Sequence, residues 1–85
     1  MKLTVITNGD GPEMRDALEF AEAMASEKYE VETIDWDDAA AVSLASLYDI
    51  FSTPAYIVTE NDGRLIEMWQ GENIPLKSDI KHLLN

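Results

Sequence analysis

The sequence predicts an α/β domain: one four-stranded mixed sheet with helices on both faces, in the order β-α-β-α-β-β-α. Three observations carry that expectation. A β-branched stretch, "KLTVIT", is followed by helical apolar spacing and then by a second β-rich stretch, "YEVETID". That is the pattern of a β-α-β unit, with parallel strands and a right-handed crossover. Two later β-rich stretches flank "ENDG", whose Asn, Asp and Gly suit the positive φ angles of a tight hairpin turn.

Each element has its own justification. Lys2–Thr7 alternates and is rich in β-branched residues, so it reads as a strand buried on both faces. "NGDG" breaks it. From Pro12 onward Met14, Ala17, Leu18, Ala21, Met24 and Ala25 recur at helical spacing, with Glu19, Glu22 and Glu27 on the opposite side. Residues 29–35 form the second strand. "WDDAAAVSLASLY" supplies an N-cap at Asp37 or Asp38, then Ala39, Val42, Leu44 and Leu47 for a short second helix. "STPAYIVTE" is a third strand after a Thr-Pro break, and "RLIEMWQ" is the fourth. "NIPLKSDIKHLL" closes the order as a helix, with Pro75 near its first turn and Leu76, Ile80, Leu83 and Leu84 on one side.

Composition narrows the function classes. At 85 residues, 1–85 is one domain with a single core. Seventeen acidic residues against six basic ones give a net charge of −11, which disfavours nucleic acid and anionic membrane as partners. The six cations are scattered, so no local basic patch reverses that. No apolar run approaches the ~20 residues of a membrane span, and "MKLTVIT" lacks the pattern of a signal peptide; a cytoplasmic protein is expected. The absence of cysteine excludes disulfides, thiolate metal sites and thiol nucleophiles together.

Three segments resemble the thioredoxin-like superfamily. "YDIFSTPAY" is similar to the segment that leads into the family's cis-proline, with Pro54 in that proline's place and Thr53 as the residue whose backbone pairs with bound peptide. "DGRLIEMWQG" resembles the family's turn and strand, with Gly63 and Gly71 at the family's spacing. "DGPE" stands where active thioredoxins have Cys-Gly-Pro-Cys: Gly11 and Pro12 match, while Asp10 and Glu13 replace the cysteines. The resemblance covers nearly the whole chain and implies a minimal thioredoxin-like fold without the extra N-terminal strand and helix. It departs from the family where the chemistry lies. The dithiol is gone, Gly9 replaces a tryptophan, Thr4 replaces a buried acid, and Gln70 replaces an apolar residue before Gly71.

Acids at the start of a helix have a structural reading of their own. Asp10 fits an N-cap and Glu13 the N3 position of a capping box, which a helix's unpaired N–H groups and positive end favour. A carboxylate pair acting as acid and base, or holding a cation, is the open alternative. His82 fits a last helical turn and a surface role, and Trp36 and Trp69 fit partial burial.

The resemblance implies a redox-inactive, thioredoxin-like binding module. Its peptide groove would comprise Asp10, Gly11, Pro12, Glu13, Thr53, Pro54 and Gly71, and its partner would be a basic or polar peptide or protein. No cofactor or metal is expected, and a monomer is expected. The alternatives are a glutathione-binding or carboxylate-based enzyme on a glutaredoxin-like frame, and a subunit that builds an oligomer without using the groove.

Overall fold

A computed structural model describes residues 1–9, 11–72 and 74–84. The elements are β1 (Lys2–Thr7), α1 (Pro12–Ser26), β2 (Val31–Asp35), α2 (Ala39–Tyr48), β3 (Ala55–Thr59), β4 (Leu65–Gln70) and α3 (Lys77–Leu84). The sheet order is β2-β1-β3-β4. β1 runs parallel to β2, in a register that pairs Leu3 with Val31, and antiparallel to β3, pairing Val5 with Tyr56. β3 and β4 are antiparallel, with a bulge between Val58 and Thr59. This is the expected α/β order and mixed sheet.

Alternate residues of β1 and β3 enter two separate clusters. Leu3, Val5, Tyr56 and Val58 pack under α1 and α3 with Ala17, Ala21, Met24 and Ile80. Ile6, Ala55 and Ile57 pack under α2 with Ala41 and Ile50. β1 and β3 are buried on both faces because they are the central strands, which continuous apolar runs favour.

Several boundaries and faces differ from expectation. β2 starts at Val31 rather than 29, because Lys28 leaves α1 through a left-handed φ of 70°. β4 begins at Leu65 rather than Arg64. On α1, Leu18 and Ala25 are exposed, while Phe20 packs edge-to-face on Tyr56 with ring centroids 5.4 Å apart. On α2, Ala39, Val42 and Leu47 point outward; Ala41, Leu44, Ala45 and Tyr48 turn to the sheet. α3 starts at Lys77, not near 73. Ile74 precedes a proline, which disfavours helical backbone there, and Asp79 Oδ2 accepts from the Leu76 N–H at 2.9 Å to cap the helix after Pro75. Leu76 is exposed, so only Ile80 and Leu83 of the named apolar row with described side chains pack inward. Among the described residues no helix is long and apolar enough to cross a membrane.

Candidate functional site

The start of α1, the loop before β3 and the end of β4 meet at one end of the sheet. Pro12 occupies the first helical position, where its fixed φ is suited and its missing N–H costs nothing. Gly11 is therefore the N-cap. It is extended (φ −70°, ψ 166°), and its carbonyl accepts from the Met14 and Arg15 N–H groups, both at 3.1 Å. The capping box expected at Asp10 and Glu13 is corrected accordingly: the helix starts one residue later, Glu13 falls at N2, and among the described residues no side chain caps it. Asp10 itself lies outside the described residues. Glu13 folds back toward Gly11, so that a Cβ on Gly11 would lie 3.3 Å from Glu13 Oε2, and its charge stays in the positive first turn. α2, by contrast, carries the expected side-chain cap, with Asp38 Oδ1 accepting from the Ala40 N–H at 2.8 Å.

The loop between α2 and β3 is held from the opposite side. Asp49 leaves α2 in a left-handed conformation, φ 55°, and the buried Ile50 donates its N–H to the Ala45 carbonyl. Gln70 Oε1 then accepts from the Phe51 N–H at 2.9 Å and the Ser52 N–H at 3.2 Å. This role of Gln70 is invisible in the sequence, where it reads only as a polar residue at an apolar position. Its amide ties β4 to the loop. Thr53–Pro54 is cis, and the Pro54 carbonyl accepts from the Gly71 N–H at 3.0 Å. Gly71 sits at φ +66°, and a Cβ there would come within 2.8 Å of Ser52 Oγ.

Four of the seven sequence-derived groove residues, Glu13, Thr53, Pro54 and Gly71, line a single cleft of about 410 Å³. Met14, Glu72 and Ile74 complete its walls. Gly11 and Pro12 lie beside it on the chain without lining it. Ile74 is 53% exposed, and Met14 Sδ takes the Asn8 N–H at 3.3 Å. Among the described residues neither the N–H nor the C=O of Thr53 has a backbone partner. Among the described residues the only charged side chains on the lining are Glu13 and Glu72. The cleft thus combines an open backbone edge, two apolar walls and two carboxylates.

The remaining candidates lie elsewhere. Asp35 Oδ1 accepts from the Asp37 N–H at 2.9 Å, which makes a local turn at the foot of α2. Among the described residues no three His, Asp or Glu side chains converge as a metal-binding group. His82 is exposed in the last turn of α3, and Trp36 and Trp69 are half-buried on opposite clusters.

The fold has close counterparts among solved structures. Thioredoxin 1 from Thermosipho africanus is 18% identical, with a TM-score of 0.74 over 99% of this chain and 91% of its own. Oxidised thioredoxin from Plasmodium falciparum is 19% identical, with a TM-score of 0.69 over 98% of this chain and 76% of its own. The crystal structure of a thioredoxin-like protein is 26% identical, with a TM-score of 0.60 over 98% and 99%. No family model matches the chain, and no curated protein matches it in sequence. The architecture is a minimal thioredoxin-like fold, in a chain that contains no cysteine.

Proposed function

We propose that this chain is a peptide-binding module that takes an extended segment of a partner protein in the cleft beside Pro54. The frame is thioredoxin-like and the chain has no cysteine, so thiol–disulfide exchange is not its chemistry. The observation that carries the reading is the open backbone of Thr53 on the wall of a cleft with apolar and acidic sides. Strand-like pairing uses main-chain groups for affinity and side-chain pockets for selection, so it survives the loss of the cysteines. Met14 and Ile74 suit an apolar residue of the segment, and Glu13 and Glu72 suit a neighbouring Lys or Arg. The same two carboxylates disfavour glutathione, whose own carboxylates would meet them without a cation on the lining.

The test is a titration with extended hexapeptides that pair one Leu with one Lys, against the same peptides with Glu for Lys, read by amide chemical shifts. The Leu-Lys peptides should move Thr53 and Gly71 saturably, and Thr53→Arg should weaken them by about tenfold or more, as filling the centre of a small interface does. Binding untouched by Thr53→Arg, or saturable glutathione shifts at Thr53, would overturn the proposal.

A further inference from the structure

α2 has an uncharged outward face. Ala39–Tyr48 contains no charged residue, in a chain of net charge −11. Its inward residues follow the helical period at Ala41, Leu44, Ala45 and Tyr48. The exposed stripe is then Ala39, Val42, Ser43, Ser46 and Leu47, also one helical face. Val42 is 60% exposed and Leu47 69%, so two large apolar side chains stand in water between small neighbours. Small residues beside large ones form the grooves and ridges on which a second helix packs.

Acids bracket this neutral stripe. Asp37 and Asp38 are exposed at its start and Asp49 is exposed at its end. Alongside it, Glu32 and Glu60 share a cleft with Ala40 and Ser43, and the one cation there, Lys2, is already paired with Glu32 at 3.1 Å. A second copy of the chain is a poor occupant. Antiparallel pairing of two α2 helices sets Asp37 and Asp38 against Asp49, and parallel pairing sets like ends together, so acids meet acids either way.

We infer that the outward face of α2 docks an amphipathic helix of a partner protein, whose apolar stripe is flanked at both ends by Lys or Arg. The ten residues of α2 span about 15 Å at ~1.5 Å per residue, so the partner's cations stand about three helical turns apart. This surface is separate from the cleft beside Pro54 and does not depend on its use.

The probes are two synthetic helical peptides with one leucine stripe, ended by lysines in one and by glutamates in the other. Binding is read on the full chain by amide shifts. The lysine-ended peptide should bind saturably with shifts confined to α2 and its ends, and the glutamate-ended one should not. Val42→Ser with Leu47→Ser removes the apolar pair from exposed positions and should weaken binding by about tenfold, the scale of losing interface anchors. Asp37→Asn, Asp38→Asn and Asp49→Asn together keep the cap and the left-handed turn while removing the bracket, and should equalise the two peptides. Equal binding of both peptides to the parent chain, shifts centred on Thr53, or concentration-dependent dimers through α2 in sedimentation would each overturn the inference.

Discussion

The face of the sheet under α1 and α3 and the face under α2 are drawn from the same strands, yet their apolar rows differ in length. Under α1 and α3, Leu3 and Val5 of β1 and Tyr56 and Val58 of β3 are all buried apolar residues. Under α2 the same strands read Lys2, Thr4, Ile6 and Ala55, Ile57, Thr59, so the apolar row stops halfway. The polar half is left as a cleft of about 400 Å³ beneath the short α2, with Tyr48 donating to the Gly63 carbonyl at 2.6 Å across one side. The larger buried apolar cluster therefore lies on one face. The other face positions a loop, and with it the wall of the site.

The sharpest way to break that comparison is to truncate one anchor on each face. Ile80 is fully buried between α3 and the sheet, so Ile80→Ala should cost about 3 kcal/mol from lost transfer and the cavity left behind. Leu44 is half-buried on α2, and Leu44→Ala should cost about 1 kcal/mol, in proportion to the smaller area withdrawn from water. Urea denaturation of both variants measures the difference. Equal losses would mean that the two faces contribute alike.

A smaller effect is expected where α2's loop leans on β4. Gly71→Ala places a Cβ at a left-handed backbone position and against Ser52 Oγ, for a loss of about 1–2 kcal/mol. Adding Ser52→Ala removes the 2.8 Å contact but not the backbone cost, so it should restore part of the stability and not all of it. Full restoration would show that the φ of Gly71 is not a constraint; no restoration would show that the loop does not press on β4.

Much of this was legible in the sequence, for reasons that also explain the rest. Strand alternation and the "ENDG" turn place β1, β3 and the hairpin, because burial and turn chemistry act through neighbours on the chain. Thr53, Pro54, Gly71 and Glu13 were named together through the family resemblance, and they line one cleft. The start of α1 was misplaced because an acid at N-cap spacing competes with a proline that fixes the first turn, and Pro12 wins. The inward side of α2 was not legible, since nearly every residue of "AAAVSLASLY" is apolar or small and the pattern carries no polar face to orient it. The role of Gln70 was not legible because its amide acts on Phe51 and Ser52, partners far away in sequence.

The least of the effects concerns how the strong face is tied at its rim. Glu27, just past α1, pairs with Lys77 at 3.4 Å and with Lys81, and so joins α3 to the end of α1. The hydrogen bond to Lys81, with Lys77 adding to it, holds the Glu27 carboxyl below its ordinary value of 4.5, and the same bond raises Lys81 above 10.5. A lowered carboxylate contributes stability that is complete above 4.5 and is lost as pH falls through the lowered value. The raised lysine contributes below 10.5 and loses its part as pH climbs past it, so the cluster acts across the neutral range. The groups are solvent-exposed, which keeps the contribution small and sensitive to salt. Acid also relieves the general repulsion of a chain at −11, which acts in the opposite sense. The cluster is therefore isolated by difference: thermal melts of the parent chain and Glu27→Gln should be slightly apart at neutral pH, and the gap should close in acid and in high salt. A gap that persisted below the Glu27 titration would place the effect in packing rather than charge, and the rim of the strong face would then be held as its centre is.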